Sequence, residues 1–247
     1  MSALVLALAA GAVIGLALGA LGGGGGVLAA PALIHLLGFT PAAAATAGLI
    51  IVTVTTVAAL PAHARDGHVA WRTGALFAAA GVVPAFLAGA ASARLPGPVL
   101  GIAFAAVTAV AALRMLRPSD ARPVTTGRAA RAAGAGAGLG AVTGLLGVGG
   151  GFLAVPALVG VLGLRMRQAV GTSLLVIAVN SLAALAARAG SGGDLRWELI
   201  GPFAAAAVLG AWDGRRLAAG VTGDALRKAF AFVLLAVAAF MLADAIG

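Results

Sequence analysis

The sequence predicts an all-α polytopic membrane protein made of two inverted repeats, each a glycine-broken re-entrant helical hairpin followed by three transmembrane helices. Three observations lead there. The composition is 62% hydrophobic and 9% charged, with mean hydropathy +1.11. Five consecutive glycines, Gly22 to Gly26, interrupt an apolar stretch, and a second glycine-interrupted stretch follows 125 residues later.

The charges bunch between apolar spans of about 20 residues, the length a helix needs to cross a bilayer. In lipid the backbone must satisfy its own hydrogen bonds, which leaves helices or closed barrels. These Ala/Leu/Gly-rich spans are too long and too unalternating for barrel strands. The net charge of +9 comes from basic residues scattered through short loops, with no basic domain to hold a nucleic acid. Nucleic acid is therefore set aside as a partner, and the lipid bilayer takes its place. There is no cysteine, so disulfides and thiolate metal sites are excluded. Met1-Ser2-Ala3-Leu4 carries no positive charge ahead of the apolar run, so the N-terminus is expected to be retained rather than cleaved as a signal.

Apolar spans fall at roughly 3–37 (broken), 42–62, 69–93, 97–116, 130–162 (broken), 169–189, 197–214 and 225–246. A straight helix of about 35 residues would be about 50 Å long against a hydrocarbon layer of about 30 Å, so the first stretch must break or tilt. Glycine loses the most entropy in a helix and adopts positive φ freely, which puts the break at Gly22–Gly26. Pro31 then suits the first turn of a new half-helix. The charged, proline-containing segment 117–128 is read as a cytoplasmic linker between a first repeat, 1–116, and a second, 129–247.

At an offset of 125, Gly15, Gly19, Gly22 and Gly24-Gly25-Gly26 align with Gly140, Gly144, Gly147 and Gly149-Gly150-Gly151, and Pro31 and Gly38 with Pro156 and Gly163. Matching interruptions in two halves point to a transporter's binding site. Charge then orients the repeats. If each broken segment crosses fully, giving eight crossings in parallel repeats, the sixteen Lys/Arg split nine against seven. If each is a hairpin that returns to its own side, only Arg94, Arg188 and Arg196 face away from the other thirteen. The positive-inside rule favours the hairpins, with both termini outside and the linker inside; the parallel plan is the alternative.

The segments Gly19-Ala20-Leu21-Gly22 to Leu33 and Gly144-Leu145-Leu146-Gly147 to Leu158, with Ala169-Val170-Gly171-Thr172-Ser173-Leu174 and Asn180-Ser181-Leu182, resemble the sulfite exporter TauE/SafE family of permeases over essentially the full length. The resemblance implies transport of a small sulfur oxyanion or organosulfonate, such as sulfite or sulfoacetate, across the inner membrane. One departure bears on substrate choice. Where the second half reads Gly171-Thr172-Ser173, the first reads Thr46-Ala47-Gly48, so one hydroxyl cluster is thinned.

An anion can be held without a cationic side chain where backbone N–H groups at a helix N-terminus point at it. Gly24, Gly25 and Gly26, and Gly149, Gly150 and Gly151, leading into two half-helix N-termini near the bilayer midplane, are the expected substrate-binding backbone. Thr172, Ser173, Asn180 and Thr55 are the expected side-chain contacts; Thr143, Ser181, Thr46, Thr53 and Thr56 are further hydroxyls nearby. Asn180 is costly in an apolar span unless paired, so ligand contact and interhelical hydrogen bonding both stand for it. Gly11, Gly15 and Gly19 have the spacing of a close helix seam. Trp71, Trp197 and Trp212 fall at span ends as interfacial anchors, His35 is expected near the hairpin mouth, and His63 and His68 read as loop residues.

No carboxylate sits well inside a span, and Ser173 has no base near it in sequence. An enzyme, a cofactor and a metal site are not expected. A channel and a non-transporting scaffold are the competing classes. H⁺ and Na⁺ both stand as coupling ions, and a homo-oligomer is compatible with the sequence.

Overall fold

The computed structural model describes residues 2–23, 28–92, 97–116, 128–145, 151–187 and 195–246. Among the described residues the chain forms ten helices and no strand: α1 (Ser2–Leu21), α2 (Ala29–His35), α3 (Pro41–Arg65), α4 (Trp71–Ser92), α5 (Gly97–Leu116), α6 (Arg128–Leu145), α7 (Gly151–Gly160), α8 (Met166–Ala187), α9 (Trp197–Ala219) and α10 (Gly223–Ile246). Five of them (α1, α3, α4, α8 and α10) contain stretches long and apolar enough to cross a membrane. With the family membership established below, the chain is a multi-pass membrane protein.

The first long apolar stretch breaks at its glycines, and residues 146–150 of the second lie outside the described residues. α1 ends at Leu21, and Gly22 takes φ +71°, which stops an L-residue helix from continuing. α2 is two turns long with Pro31 as its third residue, where the missing N–H has no intrahelical role. α7 begins at Gly151, so Pro156 falls at its sixth residue, deeper than the first turn. Both short helices end in the same motif. The N–H of Phe39 donates to Leu33 O at 3.0 Å and that of Gly38 to Ile34 O at 3.1 Å; 125 residues on, Leu164 donates to Leu158 O at 3.1 Å and Gly163 to Val159 O at 3.2 Å. Gly38 and Gly163 have φ +62° and +63°, as this glycine-terminated cap requires. Thr40 then caps α3, its side chain accepting from the Ala43 N–H at 3.4 Å, with Pro41 in the first position.

Small residues decide which helices touch. Lipid tails are as apolar as leucine, so helices associate by close packing rather than by the hydrophobic effect. α1 lies along α9: Gly11, Gly15 and Gly19 meet the main chain of Phe203, Ala207 and Ala211, and Gly210 and Gly214 meet that of Ala12 and Leu16. A Cβ on Gly15 would lie 2.0 Å from the Ala207 carbonyl oxygen. α4 lies along α6 in the same manner, with Gly136 on Phe77 and Gly140 on Gly81. In each pair the contacting numbers rise together, so the two helices run in the same direction. The large side chains Val13, Val83, Phe86, Leu209 and Phe232 point outward, where lipid can solvate them. Replacing Gly15 by valine is expected to force α1 off α9 and cost about 1–3 kcal/mol, measured by denaturant unfolding in micelles. A Val13→Leu control on the outer face is expected to stay within about 0.5 kcal/mol of wild type.

Two further contacts set directions. Arg196, just before α9, stacks over Phe39, just before α3, at 4.2 Å, and Arg215 near the end of α9 pairs with Asp66 just after α3 at 2.7 Å. α3 and α9 are therefore parallel, and α1 with them. Gly171 near the start of α8 meets His68, and Thr172 binds Ala70, both just beyond the end of α3. So α8 runs against α3, alongside α4 and α6. The bundle has one end bearing Arg65, Asp66, His68, Arg167, Arg215 and Arg216, and another bearing Phe39, Arg196 and Trp197.

Candidate functional site

The first glycine corner is held against the second half of the chain. At Gly22 a Cβ would meet Ser173 Oγ at 2.5 Å and the Val170 carbonyl oxygen at 3.1 Å, and φ +71° already disfavours any side chain there. The corner is thus fitted to one turn of α8 with no room to spare. Leu21, the last residue of α1, belongs to the same buried cluster as Phe152 and Leu153 in the first turn of α7. α7 is enclosed from Phe152 to Val155, and Ala29 and Leu33 of α2 are likewise buried. The expected backbone ligands Gly24, Gly25, Gly26, Gly149 and Gly150 lie outside the described residues; Gly151 is the first residue of α7.

α8 carries three of the four expected side chains. Ser173 and Asn180 are seven residues apart, which puts them on one helix face about 10 Å from each other. Ser173 Oγ donates to Val170 O at 2.7 Å and lies against the Gly22 corner. Thr172 is fully buried, and its Oγ1 accepts the Ala70 N–H at 2.9 Å, so this hydroxyl ties α8 to the start of α4. Thr55, the counterpart of Asn180 in the first half, is also buried and donates to Ile51 O at 2.7 Å within its own helix. The structure brings Ser173 to the first corner and places Thr172 at a helix junction. Asn180 differs from all of these, because its Oδ1 is buried without a hydrogen-bond partner, as is the neighbouring Ser181 Oγ. An unmet buried carbonyl oxygen of this kind costs about 1–3 kcal/mol.

One residue next to the corner was read from the sequence as a loop residue at a span end. His63 lies in the last turn of α3, not in a loop as expected, and its residue exposure is 5%. The main chain of Gly19, one turn before the corner, is within its electrostatic reach, and the His68 ring is 6.5 Å away. Neither ring nitrogen makes a well-formed hydrogen bond, although the Gly19 main chain lies close enough to attract the ring N–H. Beside it, a cleft of about 230 Å³ between α3 and α9 is lined by Pro61, Ala62, Arg65, Trp212, Arg215 and Arg216. At the other end His35 is exposed and packs edge-on to Phe240 at 5.6 Å, while Arg196 donates to the Leu37 carbonyl and so fixes the end of α2 to α9. Trp71 and Trp197 open their helices and stay exposed, at opposite ends of the bundle, as interfacial anchors do.

A buried glycine corner seated on hydroxyl-bearing helix, inside a bundle whose outer face is apolar, suits passage of a small polar solute through lipid. Comparison with known proteins agrees with that class. The family described as "Sulfite exporter TauE/SafE" matches residues 7–241. Two "Probable membrane transporter protein" sequences of Xylella fastidiosa are similar over almost their whole length. That of strain Temecula1 is 34% identical over 97% of this chain and 95% of its own, and that of strain 9a5c is 33% identical over the same shares. No solved structure matches. A family match across nearly the whole chain and two full-length relatives lead to one conclusion: the chain belongs to the sulfite exporter TauE/SafE family of membrane transporters.

Proposed function

We propose that this transporter is an inner-membrane permease for a small anion, a sulfur oxyanion or organosulfonate of the sulfite or sulfoacetate kind, bound at the two glycine corners and passed by alternating access. The observation that carries the reading is the first corner itself: Gly22, at φ +71°, closed against Ser173 and Val170 of the other half. Glycine there lets backbone amides approach a ligand, and the N-terminus of α7 adds an aligned helix dipole that favours negative charge. α2, with seven residues, contributes less of a dipole, so the glycine amides carry more of the load on that side. Saturable uptake of sulfite into proteoliposomes, accelerated by sulfite trapped inside, is the expected result. Flux that rises linearly with concentration and shows no counterflow would instead make the protein a channel.

The same proposal includes the topology. α1 and α3 run in one direction, which supports a return between them of the kind a re-entrant hairpin makes. Because α3 and its counterpart α8 run against each other, the halves read as inverted repeats, with the basic end cytoplasmic and both termini outside. The absence of cysteine makes this directly measurable. Single cysteines at Ser2 and at exposed Leu36 are both expected to react with an impermeant maleimide from outside intact cells. Labelling from opposite sides would restore the eight-crossing plan.

A further inference from the structure

We propose that His63 is the proton carrier of this transporter, binding a proton together with the anion at the first glycine corner and releasing both at the opposite face. This rests on the anion reading above. A neutral imidazole has one N–H donor and one lone pair, and a buried polar group in a native structure is normally paired. His63 has both ring nitrogens buried and unmet, a state it shares with Thr108, Asn180 and Ser181, and of these it alone can take up a proton. The ring is therefore built for a partner that comes and goes.

Its surroundings define what that partner is. From α1 the main chain of Gly19, three residues before Gly22, faces the ring. α9 offers Arg215, whose charge is shared with Asp66 at 2.7 Å, and the α3–α4 connection offers Asp66 and His68. From α8, Arg167 in the first turn is turned away onto the carbonyls of Ala219 and Val221. Among the described residues the carboxylate beside the ring, Asp66, is already paired with Arg215, and Gly19 offers only a neutral main-chain acceptor, so an oxyanion arriving with the substrate is the ring's first unpaired charged acceptor. An oxyanion at the corner and a proton on the imidazole stabilise each other, and the pair crosses the lipid with one unit less of net charge. The only bond made and broken is N–H: the ring lone pair takes a proton from water at the face that loads the anion and returns it to water at the face that unloads it.

The test uses the purified full chain in liposomes holding a pH dye, with sulfite, sulfate and methanesulfonate as probes and protein-free liposomes to subtract passive leak. Wild-type protein is expected to carry protons inward with the anion, and a one-unit pH gradient to concentrate a monovalent probe by up to about tenfold. His63→Gln and His63→Asn are expected to lose both effects while still exchanging anion for anion at a reduced, measurable rate, which also reports that they fold. Coupling that persists in both variants, or wild-type anion flux that moves no protons, overturns the inference and leaves the anion reading intact. Loss of exchange together with coupling in folded variants makes His63 a binding residue and overturns it too. If no probe moves through the wild type, the anion reading falls and the inference with it.

Discussion

Gly22→Ala is expected to weaken sulfite binding by at least about tenfold, a loss of about 1.4 kcal/mol, while the protein still inserts and folds. Two terms act together. An alanine at φ +71° is in a region that costs about 1–3 kcal/mol for a non-glycine residue, and its Cβ would stand 2.5 Å from Ser173 Oγ. The corner has to move, and the amides aimed from it move as well. Adding Ser173→Ala removes the closest clash but leaves the Val170 carbonyl oxygen at 3.1 Å and the positive φ, so the double variant is expected to regain stability without regaining wild-type affinity. Equal affinity in wild type and Gly22→Ala, measured by isothermal titration, would remove the corner from the binding site.

Asn180→Leu is expected to act with opposite signs on stability and on function. The Asn180 Oδ1 is buried and unpaired, so replacing the amide by an apolar group of similar size relieves about 1–2 kcal/mol of unmet polarity in the empty protein. If the amide serves the anion, sulfite affinity drops by about tenfold or more in the same variant. A rise in unfolding free energy without any change in affinity would make Asn180 a structural residue that waits for no ligand.

How far the sequence speaks depends on whether one residue type alone can satisfy a constraint. The break after Leu21 was legible because positive φ and close approach admit little but glycine, and the repeat that aligns Gly38 with Gly163 marked two caps of one kind. Span positions were legible from length and apolarity. The partners of the seams were not: spacing of Gly11, Gly15 and Gly19 announces a close contact but cannot say that α9 fills it. The role of Thr172 at the α4 junction was equally hidden, since a hydroxyl serves a ligand, a neighbouring turn or its own helix with the same atoms. His63 was misplaced for a plainer reason. The apolar span ends at Ala62, but α3 runs on to Arg65, because helical hydrogen bonding continues past the last apolar residue, and so the ring is carried into the protein.

The account stands on an anion held by the glycine corners of a folded transporter, and its thermal unfolding in detergent under sulfite titration tests that most directly. Binding to the native state alone stabilises by about 2.7 kcal/mol at a hundred times the dissociation constant. Wild-type protein is expected to show a saturable rise in melting temperature with sulfite or a sulfonate that carboxylates of equal ionic strength do not reproduce, and Gly22→Ala a rise displaced to higher concentration. A flat melting temperature across every sulfur oxyanion and sulfonate tried, or the same titration curve in both proteins, would contradict it.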